Sequence, residues 1–298
     1  MDRKKPIEFP QRTFDLLDTA QQFASEQIVE RPDAVPGLHI GTSAFTATGF
    51  SGSFYPAELQ PRDYLAYYAT KFSTVEIDST FYHAPTRSTV AGWAAKTPEN
   101  FIIAAKVPQQ ITHEKCLVDC GPEFNEFIST MDLLGPGKLG PLLFQFPYFD
   151  KDAFATGDDF LDRLKPFLQR LPESYRFAIE IRNRYWLNER FADLLREHAV
   201  ALVLQDILYM PLPRMLNFDY ITAPFTYVRL LGDRKEIEKQ TKTWDRVIVD
   251  RSKELRSWVD VCQQTVKRGI DTYVYANNHF AGHSPATVEQ FKKLWNAN

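Results

Sequence analysis

Charged side chains recur near the ends of short apolar segments of this chain. Glu76 and Asp78 stand two residues apart, so on a strand both would lie on one face. Glu180 and Arg182 repeat that spacing, and Arg229 interrupts a third apolar segment. An isolated charge is costly to bury, so these groups must pair with one another or line a solvated cavity.

Carboxylates in unlike environments hold different protonation states, and acid–base hydrolysis and isomerisation need that difference. We therefore predict Glu180 as a general acid or base, with Glu76 and Asp78 as its partner carboxylates. Lys106 would stabilise developing negative charge, and His113 is a further candidate catalytic group. The sequence predicts an enzyme with carboxylate acid–base chemistry, either a hydrolase or an isomerase.

Hydroxyl, aromatic, carboxamide and charged side chains near the other segment ends complete the candidate site. Such groups suit a polar ligand with a flat apolar face, such as a sugar or a heterocycle. The predicted substrate is therefore small and polar, either sugar-like or phosphorylated. We predict that it contacts Thr42, Tyr82, Gln145, Arg182, Trp186, Asp206, Arg229, Asn277 and Asn278.

A divalent metal is a subsidiary version of this site. Glu76, Asp78 and Glu180 would supply oxygen ligands for Mg²⁺ or Mn²⁺, and adding His113 would admit Zn²⁺. No compact ligand motif supports a metal, and the nearby basic side chains would repel a cation. The sequence therefore establishes no cofactor.

The same charges also fit a purely structural ion network. Glu76 could pair with Lys106 or Arg229, and Glu180 could pair with Arg182. The polar groups would then form a barrel that binds a metabolite or a partner without catalysis. This alternative function stays open beside the enzymatic one.

Eight apolar or β-branched segments could position these side chains, and amphipathic stretches separate most of them. Alternation of this kind is typical of parallel strands joined by crossover helices. Eight units, each a strand and the stretch that follows it, span residues 38–298 and average about 33 residues. This length suits an α/β fold of the TIM-like (β/α)₈ barrel type. The predicted strands are 38–42, 74–77, 101–106, 141–146, 176–181, 199–204, 226–230 and 272–275.

Such a barrel gathers chemistry at the C-terminal ends of its strands, where the polar residues fall. The loops after the seventh and eighth strands also offer a phosphate site, although Asp233 would oppose it. An open doubly wound sheet is the structural alternative. It would usually carry Gly-x-Gly-x-x-Gly after the first strand, and that fingerprint is missing.

Residues 1–37 do not follow this alternation of strands and helices. Apolar residues at loosely helical spacing predict a helix over 13–28, and Pro32 and Pro36 then break the chain. We therefore predict an N-terminal helical extension and linker over 1–37, followed by one barrel domain over 38–298.

Composition narrows the class of protein. Among 298 residues, 44% are hydrophobic and 24% charged, which excludes disorder as the main architecture. The net charge of −3 argues against a nucleic-acid partner, and no apolar run reaches the length of a membrane span. Three cysteines do not form a disulfide framework. We predict a cytoplasmic protein, and its oligomeric state is not indicated.

The same segments resemble the YecE-like family, also called the domain-of-unknown-function 72 family. The similarity covers about Leu38 to the C-terminus. It rests on Ile40-Gly41-Thr42-Ser43, Phe54-Tyr55-Pro56, Tyr64-Leu65-Ala66-Tyr67-Tyr68-Ala69, Val75-Glu76-Ile77-Asp78-Ser79-Thr80-Phe81-Tyr82, Ala105-Lys106-Val107-Pro108, Ile111-Thr112-His113, Leu139-Gly140-Pro141-Leu142-Leu143-Phe144-Gln145-Phe146-Pro147, Ala178-Ile179-Glu180-Ile181-Arg182, Tyr227-Val228-Arg229-Leu230 and Tyr273-Val274-Tyr275-Ala276-Asn277-Asn278.

The resemblance implies a TIM-like barrel and no established reaction. This chain departs from the family pattern at several positions. Ala44-Phe45 replaces a common Gly-Trp, and Asp78 replaces a common Asn. Leu231 stands where the family often has His, which argues against a mechanism that needs an imidazole there.

Overall fold

The computed structural model describes residues 35–297, and its eight parallel strands form a (β/α)₈ barrel. Neighbouring strands follow chain order from β2 to β8, and β8 pairs with β1. The predicted TIM-like fold is therefore confirmed. The strands are β1 (Leu38–Thr42), β2 (Thr74–Ile77), β3 (Ile102–Lys106), β4 (Leu139–Gln145), β5 (Phe177–Glu180), β6 (Ala201–Asp206), β7 (Phe225–Leu230) and β8 (Asp271–Ala276).

Helices cover the outside of the barrel. Amphipathic patterns predict seven helices in the barrel domain, and all seven are present, with ends that differ by up to three residues. The predicted ranges are 61–72, 89–95, 123–134, 158–171, 189–198, 252–268 and 285–295. Two short helices, α6 and α8, were not predicted. The helices are α1 (Tyr64–Lys71), α2 (Arg87–Ala95), α3 (Gly121–Met131), α4 (Gly157–Leu168), α5 (Glu189–Glu197), α6 (Arg234–Gln240), α7 (Ser252–Lys267), α8 (Asn278–Ala281) and α9 (Ser284–Asn296).

Several helices begin at side chains that satisfy the first free backbone N–H groups. Thr156 and Asp159 form a capping box at the start of α4, and Asn188 accepts the Phe191 N–H at the start of α5. The short helix α6 begins in the same way at Asp233. Local capping therefore sets where the chain turns from strand to helix.

The predicted helix over 13–28 lies outside the described residues. Within residues 35–297, no helix combines the length and the apolar composition needed to cross a membrane.

The seam between β1 and β2 is bridged by a side chain of α1. The Thr42 N–H donates to the Tyr68 hydroxyl over 2.8 Å, and that hydroxyl donates to the Thr74 carbonyl over 3.2 Å. The two strands come so close here that a Cβ on Gly41 would lie 2.0 Å from the Thr74 oxygen. The hydroxyl of Tyr68 thus connects backbone groups of two strands that lie at the ends of the hydrogen-bonded order.

Substituting Tyr68→Phe should test this bridge. The change leaves the buried Thr42 N–H without its acceptor, so we expect the free energy of unfolding to fall by about 1–3 kcal/mol. Urea denaturation of the variant measures the loss. Tyr67→Phe, on the same helix, is the matched control, and equal stability of the two variants would contradict the role given to Tyr68.

Candidate functional site

The side chains that point into the barrel form two layers. One layer is apolar and is called the floor, and the other is charged and lies nearer the C-terminal ends of the strands. Alternate residues of a strand point to opposite sides. Small residues of β3, β5 and β6 face large aromatic residues of β7 and β8 across the interior. The floor consists of Ala104, Leu143, Ala178, Ala201, Val203, Phe225, Tyr227, Tyr273 and Tyr275. The next inward positions toward the C-terminal end, the mouth of the barrel, carry the charged residues.

Arg229 lies at the centre of this layer and binds two glutamates. Its Nη2 is 2.7 Å from Glu76 Oε1, and its Nη1 is 2.9 Å from Glu180 Oε2. All three side chains are buried, with exposed fractions of 3% or less. The second oxygen of Glu180 contacts Arg182. The predicted Glu76–Arg229 and Glu180–Arg182 pairs are therefore confirmed.

The two buried glutamates differ in their proton affinity. Burial raises the pKa of Glu76, and the nearby Asp78 charge adds to that rise against the opposing effect of Arg229. The Tyr227 hydroxyl donates to Glu76 over 2.6 Å. At Glu180, burial is outweighed by Arg182 and Arg229, so its pKa is lowered. Two carboxylates bound to one guanidinium thus have pKa values shifted in opposite directions.

Asp78 is the carboxylate that reaches the mouth. Its side chain is 30% exposed, and its Oδ1 lies 2.9 Å from Lys106 Nζ and 3.6 Å from Arg229 Nη2. Burial would raise the pKa of Asp78, but Lys106 and Arg229 outweigh it and lower the pKa. Asp78 is therefore an anion at neutral pH, held by a buried lysine beside solvent.

His113 lies beside this pair on the turn after β3. The segment Gln110–Glu114 forms a single π-helical turn, a feature frequent at functional sites. The His113 ring lies 4.8 Å from the Phe81 ring, and Lys106 Nζ lies 3.9 Å from the same ring. Burial, Lys106 and Arg182 together lower the pKa of His113 to about 4. The imidazole is therefore neutral at pH 7.

Several predicted substrate contacts lie at the inner rim of the mouth. Gln145 pairs in register with Glu180 and donates to the Phe146 carbonyl. The Asn277 amide donates to the Ser43 hydroxyl over 2.8 Å, and Asn278 accepts the Ser284 N–H. Tyr82 is 60% exposed. Their roles in substrate binding stay predictions.

Three predicted contacts lie away from the central charges. Thr42 faces outward to Tyr68 of α1, at 2.9 Å between hydroxyls. Asp206 also faces outward, where it accepts from Arg251 and from Trp258 of α7. The ring of Trp186 stacks on Phe149, which precedes α4, and on Phe160 within α4.

The inward neighbours of two of these residues were missed. Gln205, rather than Asp206, follows Val203 on the inner face of β6, and Ser43 follows Gly41 on that of β1. Gln205 donates to the Ile181 carbonyl, and its buried Oε1 has no hydrogen-bond partner within residues 35–297. A strict count of strand parity from the apolar floor could have found both residues.

The metal version of the site gains no support from the arrangement. Arg229 lies between Glu76 and Glu180, so a cation already occupies the position where a bridging metal would bind. In the part of the chain that the structure describes, no group of three or more His, Cys, Asp or Glu side chains is placed to hold a metal ion.

Fold and site together define a (β/α)₈-barrel protein with paired charges at the C-terminal mouth. The family model described as "Protein of unknown function DUF72" matches residues 39–298, and the chain belongs to that family. The family resemblance noted in the sequence is thereby confirmed.

Individual relatives agree with this assignment. The chain is 32% identical to the UPF0759 protein YecE of Escherichia coli K12 over 39% of this chain and 40% of that protein. It is 32% identical to YunF of Bacillus subtilis over 52% of this chain and 54% of that protein. The matched region thus spans about half or less of these relatives.

Solved structures of the family share the fold. A DUF72 protein of Thermotoga maritima is 26% identical, with a TM-score of 0.66 over 87% of this chain and 99% of that one. A DUF72 protein of Enterococcus faecalis is 22% identical, with a TM-score of 0.64 over 87% of this chain and 95% of that one.

Proposed function

We propose that this protein is an enzyme that acts on a small polar substrate, sugar-like or phosphorylated, at the mouth of the barrel. The observation that carries the proposal is the exposed face of Asp78, an anion bound to Lys106 next to the neutral imidazole of His113. Both groups can accept a proton at neutral pH. Asp78 is 30% exposed, and Lys106 and His113 both contact the Phe81 ring.

The basic residues supply the complementary electrostatics. Lys106 is 6% exposed and Arg182 is 13% exposed, so both have a small face toward solvent. Fixed cations next to a proton acceptor stabilise the negative charge that develops on a substrate oxygen. Arg182 and Lys106 would also bind a phosphate or carboxylate group of the substrate.

The geometry favours a division of roles that differs from the prediction for Glu180. That carboxylate is fully buried, and both of its oxygens face guanidinium groups. We assign Glu180, Glu76 and Arg229 to positioning, because they hold Arg182 and the proton acceptor Asp78 in place. Asp78 and His113 take the proton-transfer role, and the overall reaction is a hydrolysis or an isomerisation.

A binding protein without catalysis is the second candidate. The observation that favours it is the mutual pairing of three acidic and three basic side chains, which leaves the cluster without an excess formal charge. Such a cluster could hold a metabolite by hydrogen bonds alone.

Incubation with a panel of monosaccharides and their phosphate esters separates the two functions. We expect many turnovers of at least one compound, followed by mass spectrometry, and loss of that turnover in His113→Gln. Binding without turnover, measured by calorimetry, would favour the binding protein. No binding and no turnover of any sugar or phosphate ester would contradict the proposed function.

A further inference from the structure

A cavity of about 530 Å³ opens beside the mouth, along the loop after β6. We call it the β6 cavity, and it is lined by the segment 206–212, residues 215–217 and parts of the neighbouring loops. Its volume lies in the range of cavities that hold small organic ligands. The charged cluster described above does not line it.

The loops that line the β6 cavity continue from strands that carry the charged cluster. Asp206 directly follows Gln205, and Arg184 lies two residues after Arg182. Gly232 lies three residues after Arg229. The cavity and the charged mouth therefore lie at the same end of the barrel and take their walls from the same loops.

The wall of the β6 cavity exposes apolar side chains to an unusual degree. Leu208 is 78% exposed, Met215 is 67% exposed and Tyr209 is 49% exposed. Exposed apolar residues grouped around a cavity mark a binding surface more often than scattered ones do. Methionine in particular adapts its shape to flat or irregular apolar groups.

Charged residues also line the β6 cavity. Arg251 binds Asp206 there through Nη2 at 2.9 Å. The lining carries three acidic residues, Asp206, Asp233 and Glu254, against the two arginines Arg184 and Arg251. This excess of acidic residues disfavours a ligand with negative charge.

We propose that the β6 cavity binds an uncharged apolar group, aromatic or alkyl. We assign this group to the same molecule whose polar part enters the mouth, an assignment that rests on the proposed function. The substrate is then a two-part compound, with a sugar-like or phosphorylated part at Lys106 and Arg182 and an apolar part against Leu208 and Met215.

Two fragments test the two parts separately. 4-Methylphenol, which is uncharged at neutral pH, represents the apolar part and inorganic phosphate the polar part. NMR titration of the full chain measures the binding of each. We expect the double variant Leu208→Ser, Met215→Ser to weaken 4-methylphenol binding at least 5-fold and to leave phosphate binding unchanged. Arg182→Gln should weaken phosphate binding and leave 4-methylphenol binding unchanged. Val118→Ser, an exposed apolar residue of another loop, is the control for both fragments.

The outcomes separate the inference from the proposed function. Absence of saturable 4-methylphenol binding, or equal binding of 4-methylphenol to the double variant, would overturn the β6 cavity as an apolar subsite. If inorganic phosphate does not bind to the unmodified protein, that result would instead count against the anion site at the mouth. Simultaneous binding of both fragments without competition supports two adjoining subsites, and mutual exclusion would overturn that arrangement.

Discussion

Asp78→Asn is expected to reduce kcat/KM by at least about 100-fold on any substrate found in the panel, because it removes a proton acceptor at the mouth. Asn keeps the size of the side chain. The cost to the free energy of unfolding should exceed that of a surface pair, at about 3 kcal/mol, because the buried Lys106 loses its ion pair. Steady-state kinetics and urea denaturation measure the two effects separately.

The matched control for this prediction is Asp162→Asn on the exposed side of α4. It removes one negative charge at the surface and should change neither activity nor stability. Activity of Asp78→Asn within a few-fold of the unmodified enzyme would contradict the role of Asp78.

The pH dependence of kcat/KM provides a second readout of the same groups. The His113 imidazole gains its proton near pH 4, and the pKa of Asp78 lies below its ordinary value. Both groups lose their ability to accept a proton only as the pH falls through these values. Activity should therefore be constant at neutral pH and decline below about pH 4.

The barrel was predictable because its signals are local. Each strand is a short apolar segment, and amphipathic stretches follow most of the strands, so the alternation indicates a parallel topology. Helix α6 was missed because it has seven residues, and only Ile237 of them is buried. Glu238 of this helix also contacts the distant His279, at 3.1 Å, which no local pattern indicates.

The candidate site was predictable to the extent that strand parity determines it. Glu76, Asp78, Glu180 and Arg229 share the inner face, as their spacing indicated. Thr42 and Asp206 were placed one residue out of phase, and one residue reverses the direction of a side chain on a strand. The partner of Lys106 is Asp78 rather than Glu76. Choosing between two carboxylates on one face requires the relative heights of neighbouring strands, which the sequence does not specify.

Removal of the central guanidinium should have the largest effect on stability. Arg229→Met leaves Glu76 and Glu180 buried without their shared cation, and breaking a buried ion pair in this way costs about 3–5 kcal/mol. For a domain of this size, that loss corresponds to a fall in Tm of roughly 10 °C. Arg190→Met removes an exposed pair with Asp158 and should cost less than about 1 kcal/mol.

A double variant keeps this prediction testable if Arg229→Met does not fold. Adding Glu76→Gln removes the one carboxylate left without a cation, because Glu180 keeps Arg182 and Asp78 keeps Lys106, so much of the lost stability should return. Destabilisation by Arg229→Met no greater than that of Arg190→Met would contradict the central position of Arg229. Recovery of stability in the double variant without recovery of activity would show that Arg229 is needed for more than folding.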